Sequence, residues 1–208
     1  MNLKTVLKYI NYRLTAYTEH DLHSPFMYNF YMELIKNKHP FNDFEELHTI
    51  RTQLQNDSTK IDVTDFGAGS RKLNSNKRAI NQITKHGIAQ KKQAEFLYRL
   101  INKFNPTNVV ELGTSVGLTS IYLAKANAKS TLYTIEGCPN LFQFSKELFK
   151  ENGIKNIQSI NGNFNDEFPK LLSSLNTLDV LYIDGNHAYE PTMNYFKMAL
   201  EKRNANSI

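Results

Sequence analysis

The chain has 208 residues, of which 40% are hydrophobic, 12% aromatic and 22% charged; that suits one ordinary domain, or one domain with a helical extension, and excludes wholesale disorder and a fibrous repeat. No run reaches the roughly eighteen apolar residues of a membrane span, the start MNLKTVLKYINYRL lacks the continuous apolar core of a secretory signal, and Cys138 is the only cysteine, which excludes a disulfide framework or a multi-cysteine zinc site and points to a reducing cytoplasm. The net charge of +5 is uneven: residues 1–106 hold sixteen Lys and Arg against ten Asp and Glu, whereas residues 107–208 hold nine against ten.

The first half reads as helices. Leu3, Val6, Leu7, Ile10 and Leu14 recur at intervals of three and four, which predicts a short amphipathic helix that needs a surface for its apolar face. His20 and His23 flank Asp21 without a further close ligand, a pattern of a helix-capping neighbourhood rather than a metal site. Ser24 followed by Pro25 starts a helix with Phe26, Phe30 and Leu34, and Asn42 with Glu45 and Glu46 starts another with Phe44, Leu47 and Leu54. Ile61 and Val63 lead into Asp65-Phe66-Gly67-Ala68-Gly69-Ser70, after which no apolar helix follows; this is a glycine-rich loop outside any sheet, either a lid over a ligand or a plain turn. Helices follow over 76–86, stopping at Gly87, and over 92–104, stopping before Pro106.

From Asn108 the texture changes. Short β-rich runs over 108–112, 131–135, 157–160 and 179–183 alternate with helical segments after Gly117, after Pro139 and after Asp166, and a last helix covers 192–202. Val109-Val110 and Val180-Leu181-Tyr182-Ile183 are apolar on both sides of the alternation, as strands covered by helices on both faces must be. The fold class is therefore α/β, a Rossmann-like, doubly wound, mostly parallel sheet with an N-terminal helical extension.

The informative segment is VVELGTSVGLTS, residues 109–120. A strand ends at Glu111-Leu112, glycines four apart at Gly113 and Gly117 form a loop, and a helix follows, so the backbone can approach a ligand closely and the helix start offers N–H groups to a carboxylate or phosphate. The loop is not the G-x-G-x-x-G of the dinucleotide fingerprint. Glu136, at the tip of the next strand, stands where an acidic residue accepts the hydroxyls of a ribose in doubly wound nucleotide folds, which argues for an adenosine.

Four motifs in order, Glu111-Leu112-Gly113-Thr114-Ser115-Val116-Gly117-Leu118-Thr119, Ile135-Glu136-Gly137, Gly162-Asn163-Phe164 and Tyr182-Ile183-Asp184-Gly185-Asn186-His187, resemble those of the class I S-adenosylmethionine-dependent methyltransferases. Within that class the resemblance is to small-molecule O-methyltransferases of the catechol and caffeoyl-coenzyme A type and their bacterial relatives. It divides the chain into 1–104, a helical region with the glycine-rich basic loop, and 105–208, the S-adenosylmethionine-binding domain. The resemblance implies that Gly113, Thr114 and Gly117 shape the cofactor loop. It implies that Glu111 holds the cofactor's amino group, that Ser115 and Thr119 meet its carboxylate, and that Glu136, with Gly137 beside it, binds the ribose. By the same resemblance, Asn163 and Phe164 would border the adenine. The resemblance also implies that Asp184 binds the amino group or, in metal-dependent members, a divalent cation, and that His187 is the base that takes the proton from an acceptor hydroxyl; a histidine there could also merely cap the following helix.

The family's sheet has seven strands, and this chain stops at Asn204-Ala205-Asn206-Ser207-Ile208, which reads like the approach to a fifth. The expectation is a truncated or interrupted product, or a sheet completed by another chain. The family's remaining metal ligands would lie beyond Ile208, so no metal site is predicted. The partner expected is a small-molecule methyl acceptor, with no membrane and with a homodimer left open. Two rivals stand beside this reading. The stretch from Arg71 to Lys103 carries nine basic residues against Glu95 alone, which is either the solvated face of helices or a surface for RNA or another polyanion. The early stop also suits a non-catalytic cofactor-binding fragment or interaction module.

Overall fold

The computed structural model describes residues 3–16, 18–37, 39–64 and 77–208. The glycine-rich loop at 65–70, together with Arg71 and Lys72, lies outside the described residues. The chain divides into two compact units, Met1–Pro40 and Phe41–Ile208.

The first unit holds α1 (Leu3–Thr15), a 3-10 turn (Glu19–Asp21), α2 (Pro25–Phe30) and a π-helical turn (Tyr31–Lys36). Ser24 caps α2 as its position ahead of Pro25 predicts, its hydroxyl accepting from the Met27 N–H at 3.4 Å. No residue of α1 is buried.

The second unit opens with α3 (Asp43–Asn56), whose first turn carries Asp43, Glu45 and Glu46 against the positive end of the helix dipole. A two-stranded antiparallel ribbon follows, β1 (Lys60–Asp62) and β2 (Lys77–Ala79), with Ile61 opposite Arg78. Local pattern extends the next helix back to residue 76. Pairing with β1 instead holds 77–79 extended, so α4 begins at Ile80 (Ile80–His86). Then come α5 (Lys91–Phe104), ended by Asn105 in the left-handed region, β3 (Asn108–Leu112), α6 (Leu118–Ala126), β4 (Thr131–Glu136), α7 (Pro139–Glu151), β5 (Ile157–Asn161), α8 (Phe164–Ser174), β6 (Val180–Ile183) and α9 (Tyr189–Leu200).

The four strands form one parallel sheet in the order β5-β4-β3-β6. The chain winds outward from β3 to β5 and then crosses back to place β6 on the other side of β3, so the winding reverses between β3 and β6. Side chains alternate across the sheet. Val109, Leu132 and Val180 join one core with α3, α5 and α6; Val110, Leu112 and Ile135 join the other with Phe168 and Leu172 of α8 and Tyr195 of α9. Helices thus cover both faces, and the α/β doubly wound class is the observed one. Beyond β6, the Ile208 N–H donates to the Asp179 carbonyl at 2.7 Å and the Leu181 N–H to the Ile208 carbonyl at 3.1 Å, a parallel alignment along the strand.

The division between units differs from a boundary at 104. Phe44, Leu47 and Ile50 of α3 and Ala94, Tyr98 and Ile101 of α5 are buried in the same core as Val109 and α6, so these helices share the sheet's core rather than closing a separate one.

Gly117 shows how closely these layers pack. It sits at φ +84°, and a Cβ added there would lie 2.7 Å from the Phe149 ring of α7. Gly117→Ala should therefore destabilise the fold by about 2–4 kcal/mol, the left-handed backbone and the forced overlap both contributing. Urea unfolding of the variant checks this, and a change within about 0.5 kcal/mol would show that the contact relaxes freely.

Candidate active site

The site grows from the ends of the strands. After Leu112, Gly113 turns at φ +112°, and its N–H and that of Thr114 both donate to the Ile135 carbonyl, at 3.0 and 3.4 Å. Ser115, at φ +51°, donates its N–H to Glu136 Oε2 at 2.8 Å, and Cys138 donates its N–H to Oε1 at 2.9 Å. Glu136 thereby ties the loop after β3 to the loop after β4. A cavity of about 270 Å³ opens over these tips. Gly113 and Ser115 line it beside Glu136 and Gly137, with Asn163 and Phe164 at the end of β5 and Asp184 and His187 at the end of β6. These eight positions are the ones the sequence motifs bring together.

Four other predicted positions do not reach the cavity. Glu111 and Thr114 are fully buried, and so are Gly117 and Thr119, because α6 begins beneath the loop rather than facing the opening. Glu111 points to the α6 side of the sheet, level with its register partners Thr134 and Tyr182. The Ser120 hydroxyl and the Thr134 hydroxyl (2.7 Å) both donate to Oε2, Thr134 in turn meets the Thr114 hydroxyl at 2.5 Å, and Oε1 has no hydrogen-bond partner among the described residues. Burial pushes the Glu111 carboxyl up to about 8, and the nearby negative charges of Asp184 and Glu136 add to the rise, while the two hydroxyls pull it back only in part.

Asp184 follows β6 and donates its N–H to the Leu112 carbonyl at 2.9 Å. Its carboxyl is raised by burial, with the Tyr182 hydroxyl and the charge of His187 acting the other way. Asn186 holds φ +50°, donates from Nδ2 to the Tyr195 hydroxyl at 3.3 Å, and accepts at its carbonyl from Thr192 at 3.3 Å, which fixes the turn that carries the exposed His187. Among the described residues no group of three or more His, Cys, Asp or Glu comes together to hold a metal ion.

Some of the walls carry no sequence signal. Val63, Thr64 and Arg78 of the ribbon region and Gly87 after α4 line the same cavity. A second cleft of about 430 Å³ shares Gly87, Asp184 and His187 with it, its far side formed by Ile88 and, on α5, Phe96 and Leu97. Gly87 is visible in sequence only as a helix stop, and the register of β2 depends on pairing with β1 across the chain.

Residues 110–208 match the family model described as a methyltransferase domain. Solved structures share the fold. The O-methyltransferase TomG from Streptomyces achromogenes, involved in tomaymycin synthesis and solved in complex with SAM, is 23% identical over 57% of this chain and 53% of its own, with a TM-score of 0.51. An O-methyltransferase from Bacillus cereus in complex with SAH is 14% identical over 85% and 67% respectively, with a TM-score of 0.56. The SAH-bound Podospora anserina methyltransferase PaMTH1 is 16% identical over 82% and 70%, with a TM-score of 0.54. The chain thus spans just over half the length of the Streptomyces protein. Residues 110–208 have the class I methyltransferase fold. No curated protein sequence matches the chain. In this methyltransferase fold the crevice lies outside the carboxyl ends of the strands where the winding reverses, which is where the cavity opens.

Glu111 makes a testable mark on stability. A carboxyl raised above its unfolded value of about 4.5 binds more protons in the folded state, so its contribution is full below that value and is lost as pH rises towards about 8. Glu111→Gln should remove this dependence: relative to the parent, the variant should gain stability by about 2–4 kcal/mol between pH 5 and pH 8.5. Urea unfolding at the two pH values measures the difference, and parallel pH profiles for parent and variant would count against a buried, protonated Glu111.

Proposed function

We propose that the chain transfers a methyl group from S-adenosylmethionine to an oxygen of a small-molecule acceptor. The observation that carries this reading is the pairing of two cavities across one strand tip: the glycine-walled cavity over β3, β4 and β6, and the second cleft beyond Asp184 and His187. The residues present fit the cofactor. A Cβ at Gly113 would lie 2.9 Å from the Asp184 backbone, so the cradle tolerates only glycine, and the polar groups lining the cavity include two carboxylates suited to a sugar and to a cation.

Glu136, which accepts the N–H groups of Ser115 and Cys138 and lines the cavity, would also accept the ribose hydroxyls, and Phe164 and Asn163 would border the adenine. Asp184 would face the positively charged end of the cofactor, a role its raised carboxyl performs once a cation restores the charged form. When bound, the sulfonium supplies an electrophilic methyl group. His187 would take the proton from the acceptor hydroxyl, which would enter from the second cleft and stand in line with the methyl. Phe96 and Leu97 give that cleft an apolar wall that excludes water from the reacting oxygen.

Calorimetry with S-adenosylhomocysteine tests the reading directly: measurable binding that Glu136→Ala weakens by about 1.5–3 kcal/mol supports it, and no binding to the parent protein removes it. Transfer of labelled methyl from S-adenosylmethionine to a panel of small hydroxylated compounds tests the base. His187→Ala should lower turnover by about 10²–10⁴ while cofactor affinity stays within about twofold, and equal turnover would take the histidine out of the mechanism.

A further inference from the structure

The periodicity of α1 asks for a surface on which to lay an apolar face, and none is buried. The helices of the second unit each bury apolar side chains, whereas no residue of α1 is buried. Leu3, Leu7, Ile10 and Leu14 are 72%, 58%, 48% and 81% exposed. At 3.6 residues per turn these four fall within about 60° of one another, so they form one narrow apolar stripe along the helix. Large apolar side chains gathered in one uncovered row mark an interaction surface rather than scattered exposure.

The charge on the helix selects the occupant. Residues 3–15 carry Lys4, Lys8 and Arg13 and contain no Asp or Glu. Around the helix, Lys4 and Arg13 stand about 90° to either side of the stripe, and Lys8, exposed like Arg13, lies further round on the Lys4 flank. Long basic side chains at such borders lay their stems along apolar surface and carry their charge beyond it. A second α1 laid against the stripe would set cations against cations, with no acid in either helix to pair them. An anionic lipid surface meets both demands at once, with acyl chains for the stripe and headgroup charge for its flanks. We propose that α1 lies in the plane of an anionic membrane surface and docks the protein there. Its thirteen residues make a helix about 20 Å long, short of the roughly 30 Å of a bilayer's hydrocarbon, and its far side carries Thr5, Lys8 and Tyr12, so it rests on the surface rather than crossing. The expectation of no membrane partner rests on the missing span alone. Among the described residues no helix is long and apolar enough to cross a membrane, which excludes a helical span and not a surface contact.

Sedimentation of the whole chain with lipid vesicles tests this without cofactor or acceptor, so its outcome is separate from that of the methyl-transfer reading. The chain should bind vesicles of equal parts phosphatidylserine and phosphatidylcholine about tenfold or more tightly than vesicles of phosphatidylcholine alone. Salt at about 1 M should cancel that difference, because exposed charges are then screened within a few ångströms. Lys8→Gln with Arg13→Gln should weaken binding to the mixed vesicles by about 10- to 50-fold, and Leu7→Ser with Ile10→Ser by about 100-fold or more. No binding of the parent to the mixed vesicles overturns the proposal. Equal binding to the two compositions also does, since that is apolar adhesion without charge selection. Full binding by the Leu7→Ser, Ile10→Ser variant overturns it too, by moving the contact to basic residues of the second unit. A dimer of the parent that the same variant dissociates assigns the stripe to a second copy and overturns it as well. Should that variant unfold the first unit, the Lys8→Gln, Arg13→Gln variant and the salt series decide alone.

Discussion

The site depends on how closely the ends of β3 and β6 approach each other. Their register runs from Val109 opposite Val180 to Leu112 opposite Ile183, and the next step sets Gly113 against the Asp184 backbone with no room for a side chain. The two strands are neighbours in space but far apart in the chain, so nothing local enforces the contact; the missing Cβ permits it and the Asp184 N–H to Leu112 carbonyl bond at 2.9 Å closes it. The turn after Asp184 inherits this placement. Gly185 passes the Phe164 ring where a Cβ would lie at 2.7 Å, and Tyr195 of α9 packs edge-on against Phe164 and Phe168 with ring centroids 6.0 and 6.1 Å away. His187 is therefore held from both flanks of its turn, and a displacement at Gly113 would pass to it through backbone rather than through flexible side chains.

The loop is also held from its core side, by a polar chain that would be costly if left incomplete. Ser120 on α6, Glu111 on β3, Thr134 on β4 and Thr114 in the loop connect hydroxyl to carboxyl to hydroxyl in a buried layer. A carboxylate charged there would lack the solvation that two hydroxyls cannot replace, and the upward shift of Glu111 is the expression of that deficit. Held neutral, Glu111 can bind three elements together without placing a second full charge beside Asp184. Glu136, reaching the same loop from the cavity side, accepts from the backbone N–H groups of Ser115 and Cys138. Two carboxyl groups within the same pair of motifs thus divide the work, one buried in the core and one lining the cavity.

That division explains how much of the molecule was legible in its sequence. The strands were readable nearly to the residue, since runs such as Val109-Val110 and Val180-Leu181-Tyr182-Ile183 sit between turn residues and suit a sheet covered on both faces. The place of Glu136 and Asp184 at the cavity was readable because, in a parallel sheet, only a strand's last residue and its successors escape the helices. Glu111 carries the same chemical signal one residue before the end of β3, and that single step buries it under α6. Thr119 is hidden for a related reason: α6 is apolar around almost its whole circumference, so its first turn sinks into the core. The ribbon escaped notice because Lys77-Arg78-Ala79 has no strand pattern of its own and becomes extended only by pairing with residues 60–62. The first half reads as helices correctly in type, yet nothing in its periodicity says that α3 and α5 close the sheet rather than form a domain of their own.

The two cavities are built from different kinds of structure, and this bears on what can vary. The walls at Gly113, Glu136 and Asp184 come from strand ends whose positions follow from sheet register, so a change in any of them disturbs its neighbours. The far side of the second cleft comes from Ile88 and from one face of α5, where Phe96 and Leu97 project without entering the strand ladder. Substitution there alters the shape and polarity of the cleft while leaving the register of β3, β4 and β6 intact. Under the proposed methyl transfer, the strand tips would hold the groups common to every turnover, and the helices ahead of the sheet would decide which acceptor reaches His187. The selectivity of the chain would then reside in residues 87–97, outside the four motifs that reveal its fold.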